Sequence, residues 1–324
     1  MTGEPQSCIA FDVGGTSIRA GLFTDHELVA VLETATPNCW TMPESSASEI
    51  RDALLQKLQQ MAEDLRGTNG VPVMAVAFPG PVSSDGLVHS APTIWGDRDR
   101  TPYPLQDVLT ALWPSSQVTI LNDVTAAGWH YAQAYRDFLI VTVSSGIGSK
   151  LFLNGLPVLG SAGAAGEIGH VTVDPRPDAL RCDCGGRGHL AALASGRSGY
   201  RRVRTEQAMP PAASLRSTDD IRSYNADLLN RVHAGDAEAV ARLAEVASPL
   251  GRALALVQAV TDTRVLLIMG GFALAAGEVY RQMVVRAAAA AGIEGRDWND
   301  MIRLATDSHA ALHGASYAAA RRSG

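Results

Sequence analysis

Short apolar runs broken by glycine turns alternate along this chain with longer stripes of helical spacing. Cys8 to Phe11 is an apolar run ending in Asp12; Val13-Gly-Gly-Thr16 follows, and a second run covers Ile18 to Phe23. Strand, glycine turn and strand predict a hairpin with an acid and a hydroxyl at its tip. Ser46-Ala-Ser-Glu49 has capping-box spacing and opens a helix whose stripe is Ile50, Leu54, Leu58, Met61 and Leu65, with Gly67 as its stop. Val73 to Phe78 is a buried strand running into the turn Pro79-Gly80-Pro81, and Val118 to Leu121 is a short strand ending at Asn122-Asp123. A helix is expected from Val124 to Tyr135.

The opening device then recurs. Phe138 to Val143, the turn Ser144-Ser-Gly-Ile-Gly148 and Leu151 to Leu153 again read as strand, small-residue turn and strand, closed by Asn154-Gly155. Two copies predict a duplicated lobe, each copy presenting a backbone-rich turn to one shared ligand. Ser161 to Gly196 is dense in glycine, and Thr205 to Asp220 reads as a surface loop. Asp236 to Val260 is helical with a break expected near Pro249, Val265 to Met269 is a strand delivering Gly270-Gly271, and helices follow at Gly277 to Ala291 and Ala310 to Arg321. Hinges are placed near Leu121 and Leu304. The expected domains are a small lobe, 1–121, with the helix 305–324 packing back on it, and a large lobe, 122–304.

Composition narrows the classes. The chain has 324 residues, enough for two α/β lobes, and its 46% hydrophobic and 19% charged residues are those of an ordinary globular protein. A net charge of -6 argues against a nucleic-acid partner. No apolar run approaches the ~18 residues of a membrane helix, and the polar start does not read as a secretory signal, so a cytoplasmic location is expected. Four cysteines are too few for a disulfide scaffold.

Four groups carry candidate chemistry. In Asp12-Val-Gly-Gly-Thr16, Gly14 and Gly15 let a phosphate approach the backbone, Thr16 adds a donor and Asp12 can hold Mg²⁺ directly or through water; the bland alternative is a plain hairpin turn. The segment is no Walker A loop, lacking Gly-Lys-Ser/Thr, and no Rossmann fingerprint, since a strand follows it. Asp123 is either a helix N-cap or a general base that accepts a substrate hydroxyl proton as the oxygen attacks a γ-phosphorus. His170, Cys182, Cys184 and His189 offer a complete tetrahedral set for structural Zn²⁺, against the alternative of unrelated surface side chains; such a metal would also fix Glu167, a candidate acceptor for sugar hydroxyls. Gly270-Gly271 could pass beneath a nucleotide or merely turn the chain.

In order and spacing, IAFDVGGTSIRAGLF, FPGPV, LNDVTAAG, VTVSSGIGSKLFLNGLPVLGSAGAAGEIGH, CDCGGRGHLAALASG and VLLIMGG resemble the ROK family of bacterial sugar kinases and sugar-responsive repressors. The resemblance implies an α/β, two-lobed actin/hexokinase-like (ribonuclease H-like) ATPase fold with a ligand cleft between the lobes. It implies phosphate loops at Asp12, Gly14, Gly15 and Thr16 and at Ser145 and Gly146, with Gly270 and Gly271 near adenosine. It implies Asp123 as base, Gly80, Thr93, Asn122, Glu167 and His170 as substrate contacts, and His170 also as a zinc ligand. The implied cofactors are ATP, Mg²⁺ and structural Zn²⁺; the partners are a small sugar or cyclitol and a second copy of the chain in a homodimer. A repressor of the family would carry a helix-turn-helix before the first loop, where only eleven residues precede Asp12, so a kinase is expected.

The departures from the family pattern concern the substrate. His189 stands for a third cysteine, Ala191 for a glutamate, and Thr93 and Thr125 for asparagines. A pocket lacking that carboxylate and amide cannot satisfy a glucose hydroxyl pattern in the usual way, so a modified hexose or a C7-cyclitol is expected.

Overall fold

The computed structural model describes residues 7–66, 71–161, 165–206 and 218–323. The backbone divides into two compact units: Met1–Ala134 with Gly155–Ala165 and Asp307–Gly324, and Tyr135–Asn154 with Gly166–Thr306. The first unit thus runs past position 121 to include Asn122 and Asp123.

In the first unit β1 (Ser7–Val13), β2 (Ser17–Thr24) and β3 (Glu27–Ala35) form an antiparallel meander. Helix α1 (Ala47–Arg66) leads to β4 (Val73–Phe78), and α2 (Leu105–Leu112) leads to β5 (Gln117–Asn122). The sheet order is β3-β2-β1-β4-β5, with β4 parallel to β1 and β5 parallel to β4. All six residues of β4 are buried, which explains its unbroken apolar run. Ile50, Leu54, Leu58 and Met61 form the buried face of α1, whose capping box closes through Ser46 N donating to Glu49 Oε2 at 2.7 Å. Gly67 lies outside the described residues.

Helix α3 (Asp123–Tyr131) starts directly from β5 and packs against the C-terminal helix Ala310–Ser323, which also lies along β4. It stops four residues short of the expected Tyr135, because the chain must turn to enter the strand that begins at Phe138. Behind the first turn, Phe11 stacks on Trp113 at 5.6 Å, one of the contacts that stiffen β1.

The second unit opens with β6 (Phe138–Val143) and β7 (Ile147–Leu153), an antiparallel hairpin in which the paired residues Phe138 and Phe152 stack at 4.7 Å. The two-residue β8 (Leu156–Pro157) follows in the chain. Then come α4 (Leu190–Ala194), α5 (Ser198–Glu206), α6 (Thr218–His233), α7 (Ala237–Thr261), β9 (Leu266–Met269), α8 (Gly271–Ala291), α9 (Trp298–Met301) and β10 (Ile302–Leu304). Strand β9 runs parallel to β6 and β10 parallel to β9, so the strands lie in the order β10-β9-β6-β7. That repeats β5-β4-β1-β2 strand for strand and direction for direction, the duplication that the two small-residue turns suggested.

Three expectations need correction. Helix α7 passes through Pro249 without a break. A proline inside a helix costs about 3 kcal/mol, but Val246, Ala247, Pro249 and Leu250 are all buried, and packing on both sides of the ring outweighs the lost hydrogen bond. The helix expected from Gly277 begins earlier, at Gly271, with Gly277 as an internal kink at φ 62° and ψ -145°. The surface loop expected from Thr205 to Asp220 is helical at both ends, in α5 and α6; its middle, 207–217, lies outside the described residues. Among the described residues α7 is the one helix long and apolar enough to cross a membrane, and Leu243, Leu250 and Leu254 on it are buried in the core of the second unit.

Candidate active site

Three parallel strands bring one set of candidate residues to a common edge of the first unit. Asp12 pairs with Ala77, Ala77 with Leu121, and Phe78 with Asn122, so the turns after β1, β4 and β5 leave the sheet side by side. The carboxyl ends of parallel strands are where α/β sheets place ligands, since side chains and backbone N–H groups there are not consumed by the ladder. The first turn is tight: Gly14 N donates to Ser17 O at 2.9 Å. Two residues that the motifs did not flag hold it from behind. Thr36 Oγ1 donates to Gly14 O at 2.7 Å and the buried Asn38 donates through Nδ2 to Gly15 O at 2.9 Å. Both follow β3, an exposed edge strand with no clear apolar signal, which is why the sequence pattern passed over them.

The turn after β4 requires a glycine. Gly80 has φ 108°, and a Cβ there would sit 2.1 Å from Ser90 O. Asn122 Nδ2 donates to Gly80 O at 3.0 Å, joining this turn to β5. Thr93 lies against the first turn, its Cβ only 2.9 Å from where a Cβ on Gly15 would be. The Thr93 hydroxyl is buried and has no hydrogen-bond partner among the described residues.

The N-cap of α3 is Asn122, whose Oδ1 accepts from Thr125 N at 3.1 Å. Asp123 is therefore not the cap. Its Oδ1 accepts from Val124 N and from Asn122 Nδ2, each at 2.8 Å, which fixes the carboxylate at the start of the helix. Thr125 is buried in the same turn, where its hydroxyl reaches Asn122 Oδ1 at 3.4 Å.

Asp12 sits opposite Arg19 of β2, with Arg19 Nη1 3.9 Å from Asp12 Oδ2. Burial nevertheless raises its carboxyl pKa above the ordinary 3.8, against the opposing fields of Arg19 and His309. The folded state therefore holds this proton to a higher pH than the unfolded chain, and stability falls as pH rises from the ordinary carboxylate value through the raised one. Asp12→Asn is expected to raise the melting temperature at pH 7, with the difference closing as the pH falls to the ordinary carboxylate value of 3.8. Thermal melts of both proteins across pH check this; a destabilised variant at pH 7 would contradict it.

The second unit presents its own edge. Ser144 N donates to Gly146 O at 3.0 Å, closing the β6–β7 turn, and Ser145 and Gly146 are exposed. Thr142 of β6 pairs with Met269 of β9, so Gly270 leaves the sheet beside this turn; a Cβ on it would lie 2.6 Å from Val143 O. Gly270 is the N-cap of α8 and Gly271 its first residue, so the pair makes a strand-to-helix turn and exposes the helix N-terminus at the same edge.

Glu167, exposed, precedes a 3-10 turn, Ile168–His170, that brings His170 round to the cysteine loop. His170, Cys182, Cys184 and His189 are gathered with all their ligand atoms within 4.8 Å of one another. Cys182 Sγ lies 3.8 Å from His170 Nδ1 and Cys184 Sγ 3.2 Å from His189 Nδ1. A tetrahedral Zn²⁺ with ordinary Zn–S and Zn–N bonds needs ligand separations of about 3.3–3.8 Å, so this set fits the ion. The loop is shaped for it. A Cβ on Gly186 would meet His189 Cε1 at 2.2 Å, and His189, although the N-cap of α4, makes no side-chain cap bond, its ring being turned to Cys184. Asp183, between the cysteines, pairs with Arg201 and with Arg197 of the following segment, at 3.2 Å for the latter. This acid was missed by the motif reading; its place inside the Cys-x-Cys spacing was the available signal.

The first unit thus gathers Asp12, Gly14, Gly15, Thr16, Gly80, Thr93, Asn122 and Asp123, and the second gathers Ser145, Gly146, Gly270 and Gly271 at a sheet edge and Glu167 and His170 at the cysteine loop. Among known proteins, the ROK family model matches residues 8–322. The C(7)-cyclitol 7-kinase of Streptomyces hygroscopicus subsp. limoneus is 37% identical over 86% of this chain and 83% of its own length. The 2-epi-5-epi-valiolone 7-kinase of an Actinoplanes species is 34% identical over 59% of this chain and 55% of its own. The crystal structure of a ROK hexokinase from Thermus thermophilus matches with a TM-score of 0.75 at 27% identity, covering 98% of this chain and 99% of that one. The duplicated mixed sheets are those of the actin-like ATPase fold. The chain belongs to the ROK family and is one of its kinases.

Proposed function

We propose that this kinase transfers the γ-phosphoryl group of ATP to a hydroxyl, a primary one, of a hexose-like cyclitol, and that glucose is not its preferred acceptor. The observation that carries the proposal is the 37% identity to a C(7)-cyclitol 7-kinase across most of both chains. The Thr93 hydroxyl supports it: a buried, unpaired polar group is costly until a ligand group satisfies it. Ala191, in α4 where a family glutamate is expected, agrees, since a pocket without that carboxylate suits a different hydroxyl pattern.

In this reading Asp123 takes the proton of the substrate hydroxyl while its oxygen bonds to the γ-phosphorus and the bond to the ADP oxygen breaks. Asn122, Gly80, Thr93, Glu167 and His170 orient the acceptor. The backbone of Gly14 and Gly15 with the Thr16 hydroxyl, and that of Ser145 and Gly146, receive phosphate oxygens, with Gly270 and Gly271 beneath the adenosine. Asp12 would hold Mg²⁺, directly or through water; the ion supplies neutralisation of the phosphate charge. Zn²⁺ in the Cys2His2 cluster would keep the loop bearing Glu167 and His170 in place.

A panel of glucose, N-acetylhexosamines and valiolone-type cyclitols tests the acceptor. The cyclitol is expected to exceed glucose in kcat/KM by at least about tenfold, the discrimination that one mismatched hydroxyl produces. Glucose as the best substrate would end the proposal, and sugar binding without turnover would point to a regulator.

A further inference from the structure

Of the 27 basic residues in the chain all but two are arginine; the lysines are Lys57 and Lys150. Lys57 lies on α1, whereas Lys150 lies in β7 and is 4% exposed. Burying an ammonium is unfavourable by several kcal/mol unless an opposite charge compensates it. The burial drives its pKa down, and the acid whose field works against that shift is Glu167.

The backbone explains the proximity. Gly166 packs directly on β7: a Cβ there would lie 2.9 Å from Ser149 O and 3.4 Å from Lys150 Cα. Ser149 Oγ also donates to the Gly166 carbonyl. Glu167 is therefore carried on the stretch of chain anchored where β7 offers Lys150, four residues beyond Gly146 of the phosphate turn.

We propose that Lys150 is a specificity-determining positioning residue: its ammonium compensates the Glu167 carboxylate, which then accepts hydrogen bonds from neutral hydroxyls and rejects a cationic amino substituent. The inference rests on Glu167 contacting the acceptor, as proposed above. An uncompensated carboxylate would favour a protonated amine, because charge-assisted hydrogen bonds are roughly twice as strong as neutral ones. With the Lys150 charge acting on it, an amine-bearing acceptor meets an opposing field and is selected against.

The experiment compares kcat/KM for glucose and for 2-amino-2-deoxyglucose at about pH 6, where the amine is protonated, in the wild type and in Lys150→Met, Lys150→Gln and Lys150→Arg. Lys150→Met and Lys150→Gln are expected to shift the ratio toward the amino sugar by about tenfold, chiefly through KM, and Lys150→Arg to restore most of the wild-type ratio. Melting temperature should stay level or rise in Lys150→Met, since an apolar side chain replaces a buried charge. An unchanged ratio in whichever of the two neutral variants folds overturns the role of Lys150. Glu167→Gln separates the layers: an unchanged KM there removes Glu167 as a substrate contact, whereas a raised KM combined with an inert Lys150 sinks this inference alone.

Discussion

Asp123→Asn is expected to lower kcat by about 10²–10⁴-fold while ATP binding survives, the range typical of a lost general base. The substitution is chosen because asparagine keeps an oxygen where Oδ1 accepts from Val124 N and Asn122 Nδ2, both at 2.8 Å, so the start of α3 should hold. What it loses is the capacity to take a proton. Removing the side chain with alanine would confound the two effects by releasing the Asn122 amide as well. Steady-state turnover together with calorimetric titration of a non-hydrolysable ATP analogue separates chemistry from binding. Near-wild-type turnover would remove Asp123 from the base role, and lost nucleotide binding would show that the change had disturbed the fold.

Loss of metal from the cysteine cluster has the second largest expected effect. Purified protein should carry about one zinc per chain by elemental analysis. Cys182→Ser and Cys184→Ser should each release it, because a hydroxyl is a poor replacement for a thiolate ligand. Between Gly166 and His189 the chain buries few apolar side chains, Ala179 and Cys182 among them, and is held by short bridges such as Thr172–His189 and Arg181–Arg187 and by the Asp183 ion pairs, so the cluster is its main internal cross-link. Without metal, Glu167 and His170 should lose their placement, with kcat/KM falling about 10²-fold, as misplacement of a positioning group by an ångström can do. Hydrogen exchange should rise in this stretch and stay unchanged in β6 and β9. A metal-free preparation with full activity would refute the site.

Strand positions were legible wherever both neighbours in the sheet are apolar. The runs at Cys8 to Phe11, Val73 to Phe78 and Phe138 to Val143 fall within β1, β4 and β6, because central strands buried on both faces leave a continuous signal. The edge strand β3 left none: its pattern is mostly exposed, and its neighbour on one side is solvent. With β3 went Thr36 and Asn38, whose bonds to the Gly14 and Gly15 carbonyls can be seen only once β3 lies beside β2. Pro249 misled in the other direction, since local propensity argues for a break that burial overrides.

The Cys182–Cys184 pair and the two small-residue turns were written in spacing, because residues within one turn or one Cys-x-Cys loop cannot be far apart; that His170 joins the cysteines was decided by the fold. So was the identity of the helix cap. Asn122 and Asp123 are equal candidates by residue type, and only the φ/ψ at the end of β5 makes Asn122 the cap and leaves the Asp123 carboxylate to other work. Lys150 likewise reads as an ordinary strand residue until β7 and the chain at Gly166 are packed together. Amino-acid order alone determined the strand–turn–strand units and the Cys-x-Cys spacing of the candidate metal site, since each depends on neighbours a few residues away. Tertiary structure decided which of those groups are buried, capped or charge-compensated, because burial and electrostatic pairing depend on contacts between segments far apart in the chain.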